Sequence, residues 1–117
     1  MLEASCHCGF VRLEVDSPPP SEVNDCRCSI CRRYGALWAY YAPDRVRVVL
    51  PADPPTDAYV WGERTLTTHR CGRCGCVSHW VAVDPGVGVM GVNARLMDPG
   101  GFGRRPRVPL RRAVIPA

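Results

Sequence analysis

A chain of 117 residues has room for one domain, and a hydrophobic fraction of 46% with 22% charged residues excludes a chain that is disordered throughout. The formal net charge of +4 does not indicate a basic surface everywhere, because five arginines fall within residues 104–112. We therefore expect a single domain over residues 1–117, in which residues 99–117 form an arginine- and proline-rich C-terminal segment.

The N-terminus lacks the basic stretch followed by an apolar stretch that is typical of a secretory signal. No apolar run approaches the ~20 residues that a membrane-spanning helix needs. We expect a cytoplasmic protein without a membrane partner. In a reducing compartment, closely spaced cysteines indicate metal ligands or catalytic groups rather than disulfides.

The first strand is predicted over residues 6–16, where apolar residues alternate with charged ones after Gly9. Val11, Leu13 and Val15 would face one side of this strand and leave the charged residues on the other. Further short apolar segments, most of them bounded by proline or glycine, also predict strands. These segments are residues 37–42, 46–50, 58–61, 65–70, 77–83 and 87–97.

Helical structure is expected at only one place. Residues 29–35 could form one turn of helix that ends at Gly35. Twelve prolines and eleven glycines divide the chain into pieces too short for long helices. The sequence therefore predicts an all-β fold with at most one short helical turn and two packed sheets.

Seven of the eight cysteines occur in three clusters that have the spacing of metal ligands. In an extended segment, residues two apart face the same way, so a Cys-x-Cys pair can offer both sulfurs to one ion. A Cys-x-x-Cys pair does the same across a tight turn, and the glycine that follows lets the backbone fold back beneath the metal. The clusters are Cys6-x-Cys8-Gly9, Cys26-x-Cys28-x-x-Cys31 and Cys71-x-x-Cys74-Gly75.

The first and third clusters together supply the four thiolates of Cys6, Cys8, Cys71 and Cys74. Structural zinc takes four ligands in a closed tetrahedron, so this set is complete. It would fasten the first strand to the late hairpin and contribute on the order of 10 kcal/mol of apparent binding free energy. These four residues are the predicted structural zinc site.

The middle cluster supplies only three ligands, Cys26, Cys28 and Cys31. Three protein ligands and an open position are typical of a catalytic zinc. We thus predict two zinc ions per chain, of which the ion at the middle cluster is the one that could be lost. Two alternatives stay open: a second structural site closed by Cys76, His69 or His79, and a redox dithiol.

The residues that follow the middle cluster could line a substrate pocket. They are Arg32, Arg33, Tyr34 and Trp38, and arginine suits the carboxylates of a glutathione-like thiol. The same residues could instead form a solvated turn and a core aromatic. Cys76 is left over, and its simplest interpretation is that of a small buried hydrophobe.

The order of the three motifs, Cys-x-Cys-Gly, Cys-x-Cys-Ser-x-Cys-Arg and Cys-x-x-Cys-Gly, resembles the glutathione-dependent formaldehyde-activating enzyme family, which includes the centromere protein V domain. The resemblance runs from Cys6 to about Met97. It implies a zinc-stapled antiparallel β-sandwich, with a structural zinc on the first and third motifs and a reactive zinc on the middle one. Cys76 departs from the pattern, because a hydroxyl residue usually stands there in the family.

The resemblance implies a carbon–sulfur lyase that makes or breaks the bond between a thiol such as glutathione and a small aldehyde. Cys26, Cys28 and Cys31 would then be the catalytic set, acting through zinc. The alternative is a non-catalytic zinc module that binds a protein or a nucleic acid through the arginine-rich segment. Because no base-reading motif is present, we expect no nucleic-acid partner. Homo-oligomerisation stays open, as does a redox or metal-handling role that uses Cys76.

Overall fold

Short β-strands make up most of the fold. The computed structural model describes residues 2–49 and 56–97 and the backbone of residues 107–108. The strands are β1 (Leu2–Ser5), β2 (Arg12–Val15), β3 (Val23–Asn24), β4 (Trp38–Tyr41), β5 (Val46–Val49), β6 (Thr56–Val60), β7 (Leu66–Cys71), β8 (Val77–Ala82), β9 (Met90–Asn93) and β10 (Arg107–Val108).

Helical structure is minor in the described part of the chain. One α-helix, α1 (Cys31–Tyr34), is accompanied by 3-10 turns at Pro43–Arg45, Pro85–Val87 and Ala94–Leu96. Gly35 ends α1 in the left-handed conformation, with a φ of 67°, and its N–H donates to the Cys31 carbonyl. No described helix is long and apolar enough to cross a membrane.

The strands form two sheets. The small sheet has the order β1-β2-β5, and the large sheet has the order β10-β3-β4-β9-β8-β7-β6. Every described strand pair is antiparallel except the two-residue pair of β10 with β3. The predicted all-β class with antiparallel sheets is therefore confirmed.

The small sheet packs on one face of the large sheet. Leu13 and Val15 of β2 are fully buried and share a cluster with Ala39 of β4 and Val92 of β9. The predicted alternation of Val11, Leu13 and Val15 is confirmed, since all three side chains are buried. The main core thus lies between the two sheets.

A second apolar cluster covers the opposite face of the large sheet. Successive strand residues point to opposite faces, so Trp38 points away from the core that holds Ala39. Trp38 packs there with Trp80, and both side chains are 1% exposed. Cys26 and Cys31 pack against this outer cluster. The middle cysteine cluster therefore lies on the outer face of the large sheet, away from the small sheet.

Three differences from the predicted elements have simple causes. The strand predicted over residues 6–16 is limited to β2, which begins at Arg12, because Cys6 and Cys8 lie in the turn between β1 and β2 and not in an extended segment. The strand expected over residues 87–97 is limited to β9, which is flanked by two 3-10 turns. Strand β1 was not predicted, and it forms through pairing with β2, where Ala4 lies opposite Leu13. The predicted segment 99–117 lies outside the described residues except for residues 107–108.

Candidate metal centres and their surroundings

The structure brings four cysteines together where the two sheets meet. Cys6 and Cys8 come from the β1–β2 turn of the small sheet, whereas Cys71 is the last residue of β7 and Cys74 lies in the β7–β8 turn of the large sheet. All four sulfurs lie within 4.8 Å of one another. The Cys6 and Cys8 sulfurs are 3.7 Å apart, and those of Cys8 and Cys71 are 3.6 Å apart. This four-cysteine group could hold a metal ion that links the two sheets.

Backbone N–H groups point at the sulfurs of this group. The N–H of Val11 donates to the Cys6 sulfur at 3.3 Å, and the N–H groups of Arg73 and Cys74 donate to the Cys71 sulfur at 3.3 and 3.4 Å. Such donors favour a thiolate over a thiol because they interact more strongly with the charged form. Each of the two turns therefore supplies at least one backbone N–H donor to a cysteine sulfur.

A glycine in the left-handed region follows each cysteine pair. Gly9 has a φ of 82° and Gly75 a φ of 80°, which L side chains rarely adopt. The Gly75 N–H donates to the Cys71 carbonyl at 3.0 Å, and this bond closes the second turn. The predicted role of Gly75 in folding the backbone back beneath the cysteines is confirmed by this geometry.

The pKa values of two thiols in the four-cysteine group are shifted in opposite directions. Desolvation acts to raise the pKa of Cys74, but backbone N–H groups and neighbouring thiols lower it to about 5. The backbone N–H of Phe10 acts to lower the pKa of Cys8, yet desolvation and the neighbouring thiols raise it to about 11. One sulfur thus ionises at the expense of another, and a bound cation would allow all four to be thiolates.

The middle cluster forms a separate three-cysteine group. The sulfurs of Cys26, Cys28 and Cys31 lie within 4.8 Å of one another, and all three residues are half-buried. Cys26 and Cys28 lie in the loop after β3, and Cys31 begins α1. The Cys31 N–H donates to the Cys28 sulfur at 3.5 Å. These residues could hold a second metal ion, with fewer protein ligands than the first.

Burial and hydrogen bonds shift the pKa values of Cys28 and Cys31 in opposite directions. Desolvation acts to raise the pKa of Cys28, but the N–H of Cys31 and further hydrogen bonds outweigh it and lower the pKa. Desolvation raises the pKa of Cys31, against the lowering effect of a hydrogen bond from Trp38. Cys28 is therefore the thiol of this pair that ionises more readily.

None of the residues considered as a fourth ligand reaches the three-cysteine group. Cys76 packs with the four-cysteine group and belongs to neither set of candidate ligands. His69 and His79 stack on each other with ring centroids 4.6 Å apart, on the strands β7 and β8. All eight cysteines are free thiols, so no disulfide framework is present.

The four predicted pocket residues have different surroundings. Arg32 and Arg33 are exposed, and an Arg33 Nη1–H donates to the Ser29 carbonyl at 2.7 Å. Tyr34 is half-buried, and its hydroxyl is hydrogen-bonded to Thr68 Oγ1 at 2.8 Å, which fixes α1 to β7. Trp38 is 1% exposed and lies beneath the cysteines, where its indole N–H donates to the Cys31 sulfur.

An aromatic floor of Trp38, Tyr40 and Trp80 lies under the three-cysteine group, and of these residues only Trp38 was considered from the sequence. Trp80 and Tyr40 pack there, with ring centroids 6.1 Å apart, and Asn24 Nδ2–H donates to the Tyr40 hydroxyl. Trp80 lies over Gly91, where any Cβ would overlap the indole. Alternation along β4 places Trp38 and Tyr40 on one face, but only the pairing of β4, β9 and β8 brings Trp80 beside them.

The chain is thus a cysteine-rich all-β domain with two candidate metal centres, one of four cysteines and one of three. The sequence pattern described as "Glutathione-dependent formaldehyde-activating enzyme" matches residues 1–109. The chain therefore belongs to the glutathione-dependent formaldehyde-activating enzyme family, and the resemblance expected from its motifs is confirmed.

One curated relative carries the name of this family, and one solved structure is similar to the chain. A Halomonas elongata protein named for the same family is 38% identical over 81 residues, which are 63% of this chain and 52% of that protein. The chain thus spans about half the length of this curated relative. The crystal structure of a Rhodobacter sphaeroides protein is similar, with a TM-score of 0.72 and 31% identity, covering 91% of this chain and 99% of that one.

Proposed function

We propose that this chain is a zinc-dependent carbon–sulfur lyase that forms or cleaves the adduct of a glutathione-like thiol with a small aldehyde. The observation that carries the proposal is the three-cysteine group, in which three half-buried sulfurs converge on the outer face of a sheet. Within the described residues, no fourth histidine, cysteine or carboxylate joins this group. Membership of the family supports a thiol and an aldehyde as the class of substrates.

The donor sets fit zinc. Four sulfurs at about 2.3 Å from one ion in a tetrahedron would be about 3.8 Å apart, close to the 3.6 and 3.7 Å separations in the four-cysteine group. Thiolate sulfur is a ligand type that zinc prefers over harder oxygen donors. We propose one structural zinc at Cys6, Cys8, Cys71 and Cys74, and one catalytic zinc at Cys26, Cys28 and Cys31.

A catalytic zinc would supply a Lewis acid that stabilises a thiolate or polarises a carbonyl at neutral pH. The chain itself holds the ligands in place: Cys28 accepts the N–H of Cys31, and Tyr34 fixes α1 to β7. Arg32 is exposed beside the group and, within the described part of the chain, forms no ion pair. Its guanidinium is therefore free to bind a substrate carboxylate.

The proposed reaction is balanced without a redox partner. The thiol sulfur bonds to the carbonyl carbon, the carbon–oxygen π bond breaks, and the thiol proton ends on the oxygen to give a hemithioacetal. Cleavage is the reverse. No electron acceptor is needed, because the addition of a thiol to a carbonyl is not a redox reaction.

The substitution Cys28→Ala tests the proposal. It removes one of three ligands from a surface loop, so we expect catalysed exchange between free and glutathione-bound formaldehyde to be lost while the fold is kept. Exchange can be measured by NMR with ¹³C-labelled formaldehyde, against the uncatalysed background. Zinc content should fall from two ions per chain to one.

Cys76→Ala is the matched control, because it removes a thiol that belongs to neither ligand set. We expect this variant to keep both zinc ions and full exchange activity. Full activity in Cys28→Ala would end the proposal, as would wild-type protein that binds two zinc ions and does not accelerate the exchange.

A further inference from the structure

Trp38 touches the three-cysteine group from below. Its indole Nε1–H donates to the Cys31 sulfur at 3.4 Å, which is within the range of N–H···S hydrogen bonds. The side chain is 1% exposed, so water does not compete for this donor. A hydrogen bond to a thiolate in such surroundings is stronger than the same bond at the surface.

The backbone that carries Trp38 is held on both sides. Strand β4 lies between β3 and β9, and Trp38 is opposite Asn24 on one and Asn93 on the other. Asn93 is buried, and its side chain accepts the Leu37 N–H at 3.3 Å and donates to the Val77 carbonyl at 2.8 Å. The indole N–H therefore has a fixed position relative to the sheet.

Trp80 provides a contrast within the same cluster. It is equally buried and packs on the same face, yet its indole Nε1 has no hydrogen-bond partner among the described residues. Burial of an indole in this cluster thus does not by itself require a partner for its N–H. The bond from Trp38 to Cys31 is a specific contact between the aromatic floor and a candidate ligand.

We infer that Trp38 is a positioning residue that orients the Cys31 sulfur and withdraws charge from it when the three-cysteine group binds a metal ion. The inference rests on the proposed metal site at this group. Outer-shell hydrogen-bond partners fix the orientation of a metal ligand, and their removal typically lowers metal affinity by about 10- to 100-fold. An N–H that donates to a thiolate also draws charge away from the sulfur. Trp38 thus acts on the reactive ion through Cys31 without touching a substrate.

Co²⁺ is a suitable probe because the energy of its thiolate charge-transfer band reports how strongly each sulfur donates. The full-length chain is first given one equivalent of Zn²⁺, which the four-cysteine group binds more tightly because it offers four ligands, and is then titrated with Co²⁺. The variants are Trp38→Phe and, as the matched control, Trp80→Phe. Both remove a buried indole from one cluster, but only the first removes a hydrogen bond to sulfur.

We expect Trp38→Phe to move the charge-transfer band to lower energy and to weaken Co²⁺ binding by about tenfold or more, whereas Trp80→Phe leaves the band in place. If Trp38→Phe fails to fold, 3-benzothienylalanine at position 38 keeps the indole shape without the N–H. An identical band in wild type and in the protein lacking the N–H would overturn the inference, even if affinity fell. Wild-type protein that takes up no Co²⁺ at the second site would instead overturn the proposed function.

Discussion

The stacked pair His69 and His79 should make the fold sensitive to mild acid. His79 is 4% exposed, its ring lies parallel to that of His69 within 2°, and its Nδ1 is 2.8 Å from the Ser78 hydroxyl. Burial, and secondarily the neighbouring His69, lower the pKa of His79 to about 3. The imidazole therefore stays neutral in the folded chain at pH values where an exposed histidine is charged.

The sign of the effect follows from proton linkage. The unfolded chain binds a proton at His79 below a pKa of 6.5, and the folded chain does so only below about 3. Between these values the unfolded state holds more protons, so stability is lost as the pH falls through 6.5. At pH 5 the loss is about 2 kcal/mol, because each unit below the unfolded pKa costs about 1.4 kcal/mol once protonation is well advanced.

The substitution His79→Asn isolates this contribution. Asparagine is not titratable, and its side-chain amide can still hydrogen-bond to the Ser78 hydroxyl. The variant therefore loses packing at every pH and also lacks the pH dependence of this site. Urea unfolding of both proteins, at equal free Zn²⁺, should show the stability advantage of wild type shrinking by about 2 kcal/mol between pH 7 and pH 5. At equal free Zn²⁺, protonation of the cysteine thiolates changes the free energy of unfolding of wild type and of His79→Asn by the same amount.

Two results would contradict the reasoning. One is a stability difference between wild type and His79→Asn that stays constant from pH 7 to pH 5. The other is an NMR titration in which the His79 ring protonates near pH 6 while the chain remains folded, since the buried stack would then accept a charge without cost.

Further predictions concern the aromatic floor and the four-cysteine group. Gly91→Ala should destabilise the fold by about 1–3 kcal/mol in urea unfolding, because its Cβ would overlap the buried indole of Trp80. Gly72→Ala is its control and should change stability little, since the nearest atom to its Cβ, in Asp57, is 3.8 Å away. Cys74→Ser should lower zinc content by one ion per chain and lower the thermal midpoint sharply, because the four-cysteine group links the two sheets.

The parts of the fold that the sequence predicts are those with a local signal. The alternation of Val11, Leu13 and Val15 marked a half-buried strand, and Gly35 marked the end of the only α-helix in the described chain. Strand β3 has two residues and no period, and it exists because it pairs with neighbouring strands of the large sheet. Elements of this kind are set by tertiary pairing, which a single sequence does not display.

In the candidate site, too, some features have a local sequence signal and others are set by tertiary pairing. Cysteine spacing and turn glycines are local signals, so both groups of candidate ligands could be predicted from the sequence, and the structure brings the members of each group together. The contact from Trp38 to Cys31 depends on how the chain turns back after Gly35, and the stack of His69 on His79 depends on the register of β7 with β8, which shifts after His69. Neither arrangement has a spacing that sequence reasoning could have recognised.

Topology also explains why the two cysteine groups differ. The four-cysteine group lies where a turn of each sheet meets a turn of the other, so ligands approach from two opposing elements and can surround an ion. The three-cysteine group comes from one loop and the start of α1, lying on a sheet face. That face presents the buried indoles of Trp38 and Trp80, and neither can serve as a ligand. An ion held by Cys26, Cys28 and Cys31 would therefore have to take its remaining ligand from outside this group. The sulfur of a thiol substrate would supply that ligand.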